Sequence, residues 1–296
     1  MRSGDAQSED RKQTHREIIP FGTRSGPLDR LVQALYLVLC PLPWTASRER
    51  SVRRVARLGR RTRLSVTYTS IEEGIPLPFG ADRGLLAWIQ TRAFDDGFVR
   101  FDALAEYFQA FGLDQGGREY TAVRQRIRRL GSLAISITLE SELESARLQM
   151  HPLKKIFLPK DGSGSIRPEV GRVSPQLLLI RRRYGFDLDP DLWALLRRHP
   201  VPQSLALLGQ FHNRPKAWDF VSFVLYRCFA ARCPTVVPWN ELVQQLGSTD
   251  RTGHRLRRTL RRILEEVRGT HPGLPVRFLP NRGGLEVEPW RADRDP

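Results

Sequence analysis

The segment from Asp250 to Arg268, DRTGHRLRRTLRRILEEVR, constrains this chain more than any other. Leu256, Leu260, Ile263 and Val267 recur at i, i+4, i+7 and i+11, the spacing of a single apolar helix stripe. Arg251, Arg255, Arg257, Arg258, Arg261, Arg262 and Arg268 occupy the remaining faces. Such a helix buries one side against its own protein and offers guanidinium groups to a polyanion. Ser248, Thr249 and Asp250 supply side chains able to cap its start. Arg251, Arg255, Arg258 and Arg262 form one continuous row, suited to following a DNA groove.

The surroundings of this helix occur twice. In the second half, AWDFVSFVLYRCFAAR and VPWNELVQQLG read as two helices ahead of it. LPVRFLPNRGGLEVEPW reads as two short strands about an Asn-Arg-Gly-Gly turn. In the first half the same order comes from PLPFGADRGLLAWIQTRAF, then FDALAEYFQAFGL, then GGREYTAVRQRIRRL, then the alternating strand LAISITLE. The two copies lie roughly 135 residues apart, a separation that a search for internal repeats exposes. Helix, helix, basic helix, hairpin is the plan of a winged helix. The expected class is α+β, mainly helical, with two tandem winged-helix domains.

The expected boundaries are a disordered tail over 1–27, an N-terminal winged-helix domain with extra N-terminal helices over 28–165, and a C-terminal DNA-binding winged-helix domain over 172–296. Leu28 to Cys40 is expected to form a Pro-bounded apolar helix. The basic run from Arg48 to Arg63 reads first at helical period, with Val52, Val55 and Leu58 inward, and then as a strand; it offers a non-specific grip on phosphates. VSPQLLLI reads as a strand, and DLDPDLWALLRRHPVP as a short helix stopped by Pro200 and Pro202.

Charge agrees with this direction. The chain has 48 Lys+Arg against 32 Asp+Glu, a formal net charge of +16, which favours an anionic partner. Clustering says more than the total, because an arginine-rich composition can also come from a GC-rich genome. Cys40, Cys228 and Cys233 are unpatterned and fit a reducing compartment. No Cys or His spacing suggests zinc. The apolar stretch Leu31 to Cys40 is about half a membrane span, and the polar N-terminus lacks a signal-peptide core. A soluble, cytoplasmic protein with no membrane association and no cofactor is expected.

Arg is the commonest side chain for reading guanine and also clamps phosphates. The expected DNA contacts are therefore Arg251, Arg255, Arg257, Arg258, Arg261 and Arg262 on the second basic helix. Arg277 and Arg282 on the wing join them, as do Arg124, Arg126 and Arg128 on the first basic helix. The aromatic residues Trp88, Phe94, Trp218, Phe220, Phe223 and Trp239 are expected in the core. The chain contains no GxxxxGK[ST], no GxSxG and no HExxH, so neither catalytic nor metal-binding residues are assigned and binding is expected rather than catalysis.

One further pattern bears on function. GIPLPFGADRGLLAWIQTRA (Gly74 to Ala93) resembles the opening motif of plasmid-encoded RepA-type replication initiators, a Pro-x-Gly turn leading into an Arg-Leu-Leu-Leu-Ala-Trp-Ile-like helix. GGREYTAVRQRIRRL, RRHPVP, DFVSFVLYRCFA, PWNELVQQLG, LRRTLRRILEEV and GGLEVEP follow in the family's order, over roughly residues 70 to 290. Gly84 stands where the family tends to have Leu, and Arg92 where it tends to have Glu; the region 160–190 matches poorly. The resemblance implies a bacterial protein that binds repeated sites on double-stranded origin DNA, melts it locally and recruits a host replicative helicase or its loader; the tandem winged-helix plan leaves the first domain for homodimer formation or auxiliary contacts. The alternatives are a tandem winged-helix transcriptional regulator and, less favoured, a DNA nicking enzyme.

Overall fold

The computed structural model describes residues 29–59, 61–100, 104–157, 185–250, 253–280 and 283–290. The expected tail, the domain boundary and the VSPQLLLI strand lie outside these residues. The architecture is α+β. A four-stranded, two three-stranded and a two-stranded sheet give it more strand than the mainly helical expectation held.

The chain enters through β1 (Arg30–Ala34) and a short α1 (Leu35–Leu39). The single helix expected over Leu28–Cys40 is thus a strand followed by one helical turn. A short apolar run is ambiguous between the two states, and here tertiary partners decide. β1 pairs antiparallel with β9 (Pro200–Ser204). On its other edge the amides of Val32 and Ala34 donate to Thr91 Oγ1 at 2.8 Å and Gln90 Oε1 at 3.0 Å.

The basic run Arg48–Arg63 also departs from expectation. It forms no helix; β2 (Ser51–Arg57) and β3 (Arg63–Ser70) make an antiparallel hairpin. Val52 and Ala56 alternate toward the core at period two, whereas Leu58, expected inward, is 38% exposed. β5 (Leu133–Glu140) and β6 (Ser145–Met150) complete the sheet in the order β2-β3-β5-β6.

The helices of the first half fall where their apolar spacing puts them: α2 (Asp82–Arg92), α3 (Leu104–Ala110) and α4 (Gly117–Gly131). Val123, Ile127 and Leu130 of α4 are fully buried, as are Leu104 and Phe108 of α3. Gly112, at φ 59°, ends α3's segment in the left-handed region that favours glycine. Between α2 and α3 runs β4 (Phe98–Arg100). It pairs with β8 (Gly185–Leu188), whose other edge takes β7 (Leu153–Phe157).

In the second half, α5 (Pro190–Arg198) is capped by Asp189, whose carboxylate accepts from the Asp191 amide. α6 (Leu205–Gly209) and α7 (Pro215–Ala230) follow. Then come β10 (Thr235–Pro238), α8 (Trp239–Leu246), α9 (His254–Thr270), β11 (Val276–Phe278) and β12 (Gly284–Val287). β12 lies between β10 and β11.

The two halves share two sheets, β1-β9 and β4-β8-β7, and one continuous apolar core. At the seam Arg83 of α2 is ion-paired with Asp219 of α7, each side chain 4% exposed. Trp44 Nε1 donates to the same carboxylate at 2.8 Å, and Arg83 donates to the carbonyls of Gly80, Leu42 and Pro43. Nε, Nη1 and Nη2 of Arg83 and Nε1 of Trp44 each have an acceptor, the kind of pairing under which a buried ion pair is tolerated. Trp88, Trp218, Phe220, Phe223 and Trp239 are buried.

The two positions that depart from the RepA-type pattern have local reasons. A Cβ at Gly84 would come within 2.7 Å of His212 Nδ1, so the helix needs glycine for this close approach. Arg92 closes α2 onto α3 through an ion pair with Glu106.

Candidate nucleic-acid interface

α8 ends at Gly247 (φ 66°), and a Cβ there would land on the guanidinium of Arg54 from β2. The backbone then turns through Gly253 (φ 70°) into α9. The helix therefore begins at His254, not at Asp250 as the sequence suggested. Asp250 still caps it from outside: its carboxylate accepts from the amides of Arg255 at 2.7 Å and Leu256 at 3.2 Å. A negative charge here opposes the positive end of the helix dipole.

Leu256, Leu260, Ile263, Leu264 and Val267 are all at most 3% exposed. They seat the helix on the apolar core that α7 also lines. Its flanks are clamped. The Arg257 guanidinium lies 4.8 Å over the Trp239 ring, which stacks at 5.3 Å on Phe278 of β11. Arg268 donates to the Val276 carbonyl. On the opposite flank Glu266 accepts two hydrogen bonds from Arg214, at 2.6 and 2.8 Å. These bonds hold the Glu266 carboxyl below its ordinary range and raise the Arg214 guanidinium.

The exposed arginines that none of these contacts engages are Arg255, Arg258, Arg261 and Arg262, with His254 at the start of the helix and Glu265 toward its end also exposed. Arg255, Arg258 and Arg262 stand at i, i+3 and i+7, one row opposite the buried stripe. Arg261 sits beside them, 5.9 Å from the Phe278 ring. Arg257 is half-buried on Trp239 and belongs to the seat of the helix. Arg277 lies on β11 and is ion-paired with Glu286. Arg251 and Arg282 fall outside the described residues.

The first basic helix is arranged differently. Arg126 turns inward: it donates to the Tyr107 hydroxyl at 3.0 Å and lies 3.9 Å from Asp82. Arg129 makes a two-point contact with Asp82 at 2.6 and 2.8 Å and stacks on Phe79 at 4.7 Å. Arg128 is exposed and Arg124 half-exposed. Of the three arginines expected at DNA on this helix, only Arg124 and Arg128 point away from the protein.

Sequence reasoning missed Arg147. It stands on β6 in a stretch, SELESARLQM, with no basic neighbour, and only strand pairing puts it on the same sheet face as Arg53. Among the described residues no group of three or more His, Cys, Asp or Glu is arranged to hold a metal ion. No helix among them is long and apolar enough to cross a membrane.

No family model matches the chain, and no curated protein matches it. Among solved structures, the chain is similar to crystal structures of domains 2 and 3 of RctB. One match has 12% identity and a TM-score of 0.49, covering 83% of this chain and 94% of that one. A second has 14% identity and a TM-score of 0.46, covering 83% and 84%.

Proposed function

We propose that this chain is a DNA-binding replication initiator that recognises repeated sites at an origin through α9 and acts by binding, not catalysis. One observation carries the DNA reading. Arg255, Arg258 and Arg262 form an exposed row on a helix whose opposite face is buried and whose flanks are fixed by Trp239, Val276 and Arg214. A rigid helix with a free arginine row suits the major groove.

The order α7, β10, α8, α9 and the β11–β12 hairpin, with β10 paired to β12, supports a winged helix in the second half. The order α2, β4, α3, α4 and the β5–β6 hairpin supports the same plan in the first. The role in replication rests on the ordered RepA-type resemblance, whose motif Gly74 to Ala93 supplies α2 and the Arg83 anchor. In this reading the protein opens the origin, recruits a host helicase or loader, and is able to form a homodimer.

Two measurements test it. Wild-type protein should bind a duplex containing the repeats beside its gene more tightly than a random duplex. Arg255→Ala/Arg258→Ala should abolish most of that preference. A replicon carrying only this gene and its flanking DNA should persist after transformation. Binding without persistence would point instead to a transcriptional regulator. Nicking of supercoiled plasmid in excess of protein would overturn the non-enzymatic assignment.

A further inference from the structure

We infer that the outer face of the β2-β3-β5-β6 sheet is a second DNA surface, on which Arg53 and Arg147 clamp phosphates of the duplex held by α9. This inference rests on the DNA-binding reading of α9.

Strand register defines the face. Arg53, Thr67, Ser136 and Gln149 are aligned across the four strands, and Val55, Ser65, Thr138 and Arg147 form the next row on the same side. The intervening row, Arg54, Val66, Ile137 and Leu148, points to the core. An antiparallel sheet with one packed and one solvated face is ordinary. The makeup of this face is less so: Thr67, Ser136 and Thr138 half-exposed in the middle, Ser65 buried, an exposed arginine on each outer strand, and Arg63 beside Glu140 in the row beyond.

Both arginines lean inward along the diagonal. Arg53 donates to Ser65 Oγ at 2.9 Å, and Arg147 Nε donates to Ser136 Oγ at 3.1 Å. Each guanidinium is thus fixed over the sheet by one hydroxyl, leaving most of its five N–H donors for a ligand. Neither has a carboxylate partner among the described residues. Thr67 and Thr138 between them are half-exposed and able to donate to the same anion.

The chemistry selects a phosphodiester backbone. Neither row holds an aromatic side chain, so the face is no platform for stacking single-stranded bases. Hydroxyls and arginines are the groups that position a protein on duplex phosphates. Three strand spacings separate the outer strands by about 14 Å. A duplex presents one negative charge per about 1.7 Å of axis with both strands counted, so a length equal to that width carries about eight charges, of which the sheet faces those on one side.

The sheet is also tied to the candidate recognition unit. Arg57, two residues beyond Val55 on the same face, is ion-paired with Glu241 of α8 at 3.1 Å. Arg54, on the opposite face, packs beneath Gly247 where α8 turns toward α9.

The test compares full-length wild type with Arg53→Ala/Arg147→Ala on an origin duplex and a random duplex of equal length, across a salt series. Two lost phosphate contacts should reduce the slope of log K against log salt by about 1.8. Affinity for both duplexes should fall by the same factor, leaving their ratio unchanged. An unchanged slope and affinity would overturn the inference while wild-type binding kept the α9 reading intact; a change in the ratio would also overturn it, as base readout. Wild type that binds neither duplex would remove the DNA reading itself, and this surface with it. If the alanine pair lowers Tm, Arg53→Gln/Arg147→Gln, which retains side-chain donors to Ser65 and Ser136, takes its place in the same measurement.

Discussion

α4 and α9 carry nearly the same pattern, an apolar stripe with arginines on the other faces, yet their arginines are committed differently. In α4 a buried carboxylate intervenes. Asp82, 1% exposed at the start of α2, takes Arg129 as a two-point partner and draws Arg126 inward beside Tyr107. In α9 the paired acid is Glu266, exposed on the flank toward Arg214 with Arg262 also near it, and the row opposite the stripe stays exposed. The comparison teaches that a basic amphipathic helix becomes a structural clamp or a candidate reading head according to where the nearest buried acid lies.

The largest expected effect separates the two helices by stability. Arg129→Ala leaves Asp82 buried without its main partner and should cost about 3 kcal/mol in urea unfolding. Arg258→Ala, on the exposed row of α9, should stay within about 0.5 kcal/mol of wild type. Equal losses from both would break the comparison.

The second effect is pH-dependent and confined to the α2–α4 side. His212 packs against Gly84, Tyr107 and Phe111, and burial, with the nearby Arg126 charge, lowers its pKa from 6.5 to about 4. Between those values the unfolded chain binds a proton that the folded one refuses, so stability falls as pH drops from about 6.5 toward 4. The slope from this group should be about 1.4 kcal/mol per pH unit. Subtracting the profile of His212→Asn from that of wild type isolates it; superimposable profiles would refute the buried neutral imidazole.

Next comes DNA affinity. Arg255→Ala and Arg258→Ala should each weaken origin binding by about 1–3 kcal/mol if they contact bases, as anisotropy titration would register, with the random duplex less affected. The smallest effect belongs to Arg124 and Arg128, the two α4 arginines that face away from the protein. If α4 touches the backbone, each alanine substitution should remove about 0.9 from the salt slope and leave sequence preference alone. Loss of preference there would erase the proposed division of labour.

Much of this was readable in the sequence because it depends on local spacing. The stripes of α4 and α9, the Gly112 and Gly247 stops and the β11–β12 hairpin follow from periodicity and backbone preference. The errors lie where distant partners decide. Leu31 to Ala34 became a strand because β9 and the side chains of Gln90 and Thr91 satisfy its backbone. The Arg48–Arg63 run became a hairpin because β5 offered β3 a full edge. The start of α9 moved from Asp250 to His254 because Asp250 caps through its side chain while Gly253 makes the turn.

The sequence by itself determined which faces are apolar and which carry arginine, since both depend on residues three or four apart along one helix. Only the tertiary structure decided which arginines are spent inside the molecule. That choice depends on carboxylates and aromatic rings far away in the chain, such as Asp82 for Arg129 and Trp239 for Arg257, and a charge is drawn to whichever partner the fold has desolvated beside it.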